Sequence, residues 1–342
     1  MKATITFYKI DKCGMYDRSN TKLVFLGVKD MLQDLSNWAI GKELAETDVF
    51  KKDSSFEENT YLADIQSSVD STILVTWNQL PYTAAGVLSL PNKAKVGEIR
   101  NAYENPLEKD SIPGYPTYFG FIPSLNVFAT ICFNTTVNGR AAMENYIKHF
   151  MKYFSSYIVA TFDDSTNTKN IEGYKNISDD EGKIYQYPPS FQSRLYPKEQ
   201  EIKLLKSRAF EVKKITKKAS LTYNNELSKS WYQNIMSFIG MSQSKPAHSE
   251  KFSVKTEISI NNGMTENEVQ ELYNNWCQDD QKDLVDYGLS IGDKLFWFSK
   301  SIAKDDFELE LSFNAQNSFE NISKLLSELD KNRKHILSIM NE

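Results

Sequence analysis

The chain has 342 residues, of which 40% are hydrophobic and 25% are charged, and it carries a formal net charge of −5. These proportions are typical of folded globular proteins, and the length suits two domains of ordinary size. The acidic balance excludes a protein that binds polyanions over its whole surface, so any nucleic-acid interface has to be local.

The first half of the chain alternates predicted strands with predicted helices. Apolar runs of strand length predict strands at residues 4–10, 71–77, 86–90, 117–122, 127–133 and 157–162. Apolar residues at helical spacing predict helices at residues 29–44, 93–103 and 139–154. Antiparallel hairpins mixed with helices indicate an α+β fold.

Residues 111–139 contain no charged side chain, which raises the question of a membrane span. A spanning helix needs about 20 mainly apolar residues in one run. Here Pro113, Pro116 and Pro123 interrupt the run, and residues 123–126 form a turn signal between two apolar stretches. We therefore expect a buried β-hairpin rather than a transmembrane helix.

Cysteine and histidine are few and scattered through the chain, at Cys13, Cys132, Cys277, His149, His248 and His335. This spacing excludes a CxxC zinc site and argues against a disulfide framework. The first ten residues lack the continuous apolar stretch of a signal peptide. These observations predict a cytoplasmic protein with no metal and no cofactor.

A polar stretch at residues 164–190 is the best predicted domain boundary, so we expect domains at 1–163 and 191–342. Each is predicted to contain mixed or antiparallel sheets flanked by helices. In the second domain, strands are predicted at residues 191–195, 207–215, 252–260, 295–298 and 307–313. Helices are predicted at residues 227–239, after a capping box formed by Thr265 and Glu268, and at 318–340.

The predicted C-terminal helix is amphipathic. Its apolar face comprises Ile322, Leu325, Leu326, Leu329, Ile336, Leu337 and Met340. This face could be a homodimer interface, although it covers only about three heptads, which is short for a coiled coil. Packing against the helix's own domain is the other interpretation.

A basic segment at residues 198–218 holds eight basic and three acidic residues, so its net charge of +5 contrasts with the acidic remainder. Lysine and arginine displace counterions from phosphates and give affinity that does not depend on sequence. The candidate DNA-binding residues are Lys203, Lys206, Arg208, Lys213, Lys214, Lys217 and Lys218. A solvated strand face would show the same charge pattern.

The same segment contains Phe210-Glu211-Val212-Lys213, predicted to lie on a strand. An apolar residue followed by Glu-x-Lys is half of a metal-dependent nuclease core, in which Glu211 and an upstream Asp163 or Asp164 would hold a divalent cation. Lys213 would then assist the attacking water. An exposed, alternating strand face is the simpler explanation of this short pattern.

Several short segments resemble the RexA family of phage-exclusion proteins. They are ATITFYKIDK, NKAKVGEIRNAYEN, SIPGYPTYFGF with Gly114, Tyr115 and Pro116, NVFATICF, LLKSRAFEVKK with Arg208, Val212 and Lys213, and NIMSFIGM. The resemblance lies in the order of elements over most of the chain. It implies a homodimeric, sequence-tolerant DNA-binding protein that senses phage replication complexes and acts with a small membrane-protein partner in abortive infection.

Three functional hypotheses follow. The first is a non-catalytic sensor of antiviral defence that binds DNA through its second domain and responds to a phage protein. The second is a divalent-metal nuclease that uses Glu211 and Lys213. The third is a protein-interaction module whose basic strand meets an acidic partner.

Overall fold

The computed structural model describes residues 1–50, 59–80, 88–91, 103–104, 111–133, 137–163, 168–179, 182–222, 251–278, 285–311 and 322–341. The strands are β1 (Lys2–Tyr16), β2 (Leu23–Phe25), β3 (Thr60–Ser67), β4 (Thr72–Gln79), β5 (Leu88–Pro91), β6 (Tyr103–Glu104), β7 (Ser111–Ile122), β8 (Val127–Cys132), β9 (Ile158–Asp163), β10 (Thr168–Tyr174), β11 (Ser190–Leu195), β12 (Val212–Thr222), β13 (Lys251–Ser259), β14 (Val285–Ile291), β15 (Lys294–Trp297) and β16 (Lys304–Glu308). The helices are α1 (Val28–Ala39), α2 (Arg140–Tyr153), α3 (Glu199–Ser207), α4 (Glu266–Gln278), α5 (Ile322–Lys331) and α6 (Arg333–Asn341). The predicted α+β fold class is confirmed.

The chain divides into two compact units. Unit 1 comprises Met1–Tyr196 together with Ala303–Met340, and unit 2 is built on Pro197–Ile302. This division differs from the predicted boundary, because β11 pairs with β1 and the residues after Ala303 return to unit 1. The predicted linker also contains β10, which pairs with β9. Contacts between residues far apart in sequence set these boundaries, and local composition does not reveal them.

Unit 1 is organised around an antiparallel sheet with the strand order β11-β1-β8-β7-β4-β3. The long strand β1 is its axis, since β11 and β16 both pair along the side of β1 that does not carry β8. The middle of β1 is buried on both faces, with Ile5 and Phe7 on one face and Tyr8 on the other. Further along the strand Lys9 and Asp11 are exposed, so only the central run of β1 is fully enclosed.

The β7–β8 hairpin confirms the interpretation of the uncharged segment. β7 and β8 are antiparallel neighbours joined by a turn at Pro123–Leu125, and Asn126 adopts a left-handed conformation with φ 52°. Asparagine tolerates that conformation better than most residues. No helix among the described residues has both the length and the apolar character needed to cross a membrane.

Helix α2 begins where Gly139, with φ 64°, turns the chain against Thr117. A Cβ at this position would clash with the Thr117 side chain, so both the backbone conformation and the space require glycine. The first turn buries an ion pair between Arg140 and Glu144, with 3.2 Å between Arg140 Nη1 and Glu144 Oε1. Ser193 of β11 donates a short hydrogen bond to Glu144, so this pair connects the helix to the edge of the sheet.

The predicted C-terminal helix is two helices, α5 and α6, separated at Asn332. Their apolar residues are buried or half-buried in one core with sheet residues such as Ile5 and Ile73. The apolar face thus packs inside unit 1, and the stripe is not an exposed homodimer interface. The prediction placed this helix in the second domain, whereas α5 and α6 are buried in unit 1.

Two predicted helices lie outside the described residues, at 227–239 and, except for Tyr103 of β6, at 93–103. Residues 318–321 of the C-terminal prediction are outside as well. Most of the other predicted strands and helices overlap an element of the structure, but β1 ends six residues after its predicted end and β7 begins six residues before its predicted start. The strand predicted at 307–313 overlaps β16 only at residues 307–308, and β3 and β14 were not predicted.

Unit 2 contains the antiparallel sheet β13-β12-β14-β15 with α3 and α4. Thr265 and Glu268 form the predicted capping box before α4: the Glu268 backbone N–H donates to Thr265 Oγ1 at 3.2 Å, and the Thr265 N–H donates to Glu268 Oε2 at 2.7 Å. Trp276 of α4 is buried, and its indole N–H donates to the Val285 carbonyl of β14 at 2.8 Å. The helix therefore covers one side of the sheet.

Candidate nucleic-acid interface

The first part of the basic segment is helical rather than extended. Residues 199–207 form α3, a 3-10 turn follows at Ala209–Glu211, and the strand begins at Val212. The prediction of a strand from residue 207 was therefore wrong at its start. The sequence does contain a helical signal here, because the apolar residues Ile202 and Leu205 are three positions apart. Both are buried in the structure.

Two of the predicted DNA-binding residues lie on α3, and both are lysines. Lys203 is exposed and its Nζ lies 3.4 Å from Glu199 Oε2, one helical turn earlier. Exposed pairs of this kind contribute little to stability, but the carboxylate offsets the positive charge that a phosphate would meet. Lys206, which is half-buried, makes no ion pair with a described residue.

Arg208 follows α3 and forms a bidentate pair with Glu211. Its Nε lies 2.9 Å from Glu211 Oε1, and its Nη2 lies 2.6 Å from Glu211 Oε2. Hydrogen bonding to Arg208 lowers the pKa of the Glu211 carboxyl, and the same bond raises the pKa of Arg208. Part of the guanidinium is thereby engaged by a neighbouring carboxylate, which offsets its charge.

This arrangement bears on the nuclease motif. Phe210 and Glu211 lie in the 3-10 turn, so the predicted strand geometry of Glu211-x-Lys213 is not present. A divalent cation at Glu211 would have to compete with the Arg208 guanidinium for both carboxylate oxygens. Asp163 ends β9 in unit 1, and Asp164 lies outside the described residues. Within the described part of the chain, no group of three His, Cys, Asp or Glu side chains is placed to hold a metal ion.

The lysines of β12 point to different sides of the sheet. Successive residues of a strand face opposite sides, so the adjacent pair Lys217 and Lys218 must diverge. Lys217 lies with its Nζ 5.5 Å from the centre of the Tyr287 ring, on the side that α4 covers. The exposed Lys213 occupies a register irregularity between Val212 and Lys214. The seven predicted residues therefore do not form one surface.

Lys214 and Lys218 share the other side of β12 with a lysine that the sequence analysis missed, Lys255 of β13. Lys218 lies directly opposite Lys255 in the β12–β13 register. We call these three exposed or half-buried lysines, Lys214, Lys218 and Lys255, the lysine face. Their proximity follows from strand register, and a window along the sequence cannot show it.

Glu257 partly neutralises the lysine face. Its two oxygens accept hydrogen bonds from Lys214 and Lys255, each at 2.8 Å. These bonds, with that from Lys214 the larger cause, lower the pKa of Glu257 to about 2. Lys218 makes no ion pair with a described residue, although Asp286 lies opposite it on β14. The Asp286 carboxylate accepts hydrogen bonds from the backbone and hydroxyl of Ser299.

An aromatic residue, Trp297, lies on the same side of the sheet as the lysine face. Thr216, between Lys214 and Lys218, lies opposite Gly288 of β14, which in turn lies opposite Trp297 of β15. A Cβ at Gly288 would lie 2.8 Å from Leu295 Cδ1 and 3.1 Å from Trp297 Cε3, so the glycine makes room for both side chains. Trp297 is half-buried and lies two strands away from β12. Single-stranded nucleic-acid sites combine basic and aromatic side chains of these types.

Comparison of the chain with protein-family models, curated proteins and solved structures found no match. The resemblance to the RexA family thus stays a prediction. The function has to be argued from the chemistry of the surface itself.

Proposed function

We propose that the protein binds DNA through the lysine face of unit 2, with little dependence on base sequence. The observation that carries the proposal is the direct opposition of Lys218 and Lys255 on neighbouring strands. Like charges placed opposite each other destabilise a sheet. A phosphate bound between them relieves that repulsion and releases condensed counterions from the nucleic acid.

The chemistry of the face favours backbone phosphates over base edges. A lysine ammonium acts as a point charge for phosphate, whereas base-specific contacts in the major groove depend largely on the planar fork of arginine or on amides. The predicted arginine, Arg208, is engaged with Glu211. This combination supports sequence-tolerant binding.

The resemblance to the RexA family supplies the biological part of the proposal. It supports a sensor in phage exclusion and abortive infection, in the cytoplasm, that acts as a homodimer with a small membrane-protein effector and responds to a phage protein. The C-terminal apolar face cannot supply the homodimer interface, because α5 and α6 bury it in unit 1.

The experiment is a titration of fluorescent DNA with the full chain, by anisotropy, at several salt concentrations. A Lys218→Gln/Lys255→Gln variant should weaken binding. It should also flatten the log–log salt dependence by about 0.9 for each lysine that contacts a phosphate of duplex DNA. The matched control is Lys294→Gln/Lys300→Gln, which removes the same charge from exposed lysines of unit 2 outside the lysine face. Binding and salt slope that are equal in the two variants would show that the lysine face is only a solvated surface.

The two other hypotheses give different results in the same assay. A metal nuclease would nick supercoiled plasmid when Mg²⁺ is added and would lose that activity in Glu211→Gln. A DNA-binding protein should instead bind as well or slightly better in Glu211→Gln, since the change frees Arg208 from its carboxylate. Salt-insensitive binding to a protein partner would favour the third hypothesis, a protein-interaction module.

A further inference from the structure

Unit 1 contains a second basic site, a cleft of about 270 Å³ between α2 and the start of β11. One wall is formed by Lys148, His149 and Lys152 of the helix. The opposite wall is the chain from Pro188 to Gln192. The side chains that line the cleft carry positive charge and neutral donors, and none of them is a carboxylate.

The two lysines of the cleft are not neutralised within the described part of the chain. Lys148 and Lys152 are four residues apart on α2, so they repel each other across one helical turn. The acidic residue one turn before Lys148 is Glu144, which is held by Arg140 and Ser193 instead. Lys152 Nζ lies 4.8 Å from the centre of the Tyr153 ring, a contact that leaves its charge in place.

His149, the third residue of this wall, is held by two contacts. Its ring packs against Phe50 with 4.7 Å between ring centres. Its Nδ1 lies 2.9 Å from the Asn145 carbonyl oxygen, so in the neutral ring the proton is on Nδ1 and Nε2 is an acceptor. The helix itself is anchored by the buried side chains of Phe150 and Met151. The helix and the His149 ring are therefore held in place before any ligand arrives.

We propose that this cleft binds a small phosphate monoester. Two ammonium groups match the double negative charge and several acceptor oxygens of a phosphate monoester better than the single charge of a carboxylate. Ser190 and Gln192 add neutral hydrogen-bond donors on the opposite wall. The volume is close to the lower limit of about 300 Å³ for ordinary ligand pockets, which suits a phosphorylated sugar rather than a larger cofactor.

This site shares no residue with the proposed DNA interface, since every residue that lines it belongs to unit 1 and the lysine face belongs to unit 2. The phosphate proposal can therefore be tested independently of DNA binding. The phosphate of a nucleic-acid backbone is the competing source of the same chemistry, and the experiment has to distinguish the two.

The test is isothermal titration of the full chain with inorganic phosphate and with ribose 5-phosphate, at constant ionic strength set with chloride. Both probes should bind saturably. Lys148→Gln/Lys152→Gln should weaken that binding by about tenfold or more, because two charge-assisted contacts are lost. The matched control Lys22→Gln/Lys29→Gln removes two exposed lysines of unit 1 outside the cleft and should keep the parent affinity.

A second variant separates a shaped site from general electrostatic attraction. Gln192→Trp fills the cleft without changing its charge, and it should abolish binding of both probes while the melting temperature stays near that of the parent. This variant also tests whether the cleft is the phosphate site if the double lysine variant does not fold. Absence of saturable binding in the parent, or unchanged binding in Gln192→Trp, overturns the proposal. The same holds if the cleft variants lose affinity only for DNA.

Discussion

Glu257 of β13 accepts a hydrogen bond from Lys214 of β12 at 2.8 Å, across the strand pair that carries the lysine face. The same carboxylate accepts another from Lys255. One acidic residue therefore holds two of the three lysines that we propose for phosphate binding, and its removal should expose their charge.

Glu257→Gln should strengthen DNA binding, by roughly threefold at low salt, because the local positive potential rises and two lysines are released for phosphate contacts. Anisotropy titrations of the parent and the variant measure this. The control is Glu271→Gln on α4, which makes the same charge change at an exposed position outside the lysine face. A gain that is equal in both variants would reflect net charge alone and would contradict the assignment of the face.

Glu257 should also contribute to the acid sensitivity of unit 2. Its pKa is lowered to about 2 in the folded protein, against about 4.3 for an unfolded glutamate. A lowered folded-state pKa gives stability that is present above the unfolded value and is lost as the pH falls toward the folded value. The difference in Tm between parent and Glu257→Gln should therefore shrink between pH 5 and pH 2. Since the pair is exposed, the difference should be small at neutral pH, and calorimetry at several pH values should show the trend. A difference that is constant with pH would mean that the hydrogen bonds are not maintained in solution.

Gly120→Ala should stabilise unit 1 by about 0.5–1 kcal/mol, through the lower backbone entropy of the unfolded chain. Gly120 borders a small apolar cavity of about 30 Å³ between the sheet and the C-terminal helices. An added Cβ would lie 3.5–3.7 Å from the terminal methyl carbons of Leu329, Ile131 and Ile73, which is ordinary van der Waals contact. Chemical denaturation measures the change.

Gly114→Ala is the matched control on the same strand. There a Cβ would clash with the backbone carbonyl of Asn78 and lie 2.7 Å from Trp77 Nε1, so this change should destabilise the protein. Equal effects at the two glycines would show that the packing around β7 differs from that described.

Leu325→Ala should destabilise unit 1 by about 2–5 kcal/mol, the usual cost of truncating a buried leucine. Leu325 is fully buried in the core shared by α5 and the sheet. The free energy of unfolding is measured with urea, and the molecular mass in solution by light scattering. The mass should match that of the parent at temperatures where both are folded. A lower mass with unchanged stability would restore the apolar stripe as a dimer interface.

The elements were predicted best where the local pattern and the tertiary environment agree. The β7–β8 hairpin and α2 each contain a buried apolar pattern that is visible in a short window, and both are confirmed. The helix α3 in the basic segment was not predicted, because the surrounding charged residues obscured the spacing of Ile202 and Leu205. The domain boundary failed for a different reason, since the pairing of β1 with β11 and β16 depends on residues far apart in sequence.

The candidate site shows a similar limit. A window along the sequence counts Lys217 and Lys218 together, whereas a strand sends them to opposite sides of the sheet. It also cannot see that Lys255 lies opposite Lys218. Local spacing does contain the Arg208–Glu211 pair, three residues apart, and this pair could have been predicted from the sequence.

The way the chain leaves and rejoins unit 1 has a further consequence. The Ala303 N–H donates to the Tyr196 carbonyl at 2.8 Å. The residues of unit 1 that precede and follow unit 2 in the chain are therefore hydrogen-bonded neighbours. Within unit 2, Lys198 N donates to Ser301 O at 2.9 Å in the same way. Unit 2 is thus an inserted domain whose two ends meet. Its own folding would bring Tyr196 and Ala303 together, so that β16 can join β1 without the entropy loss of closing a disordered loop of that length. The same geometry makes unit 2 a separable module, because its removal would leave only a short gap between two hydrogen-bonded residues of unit 1.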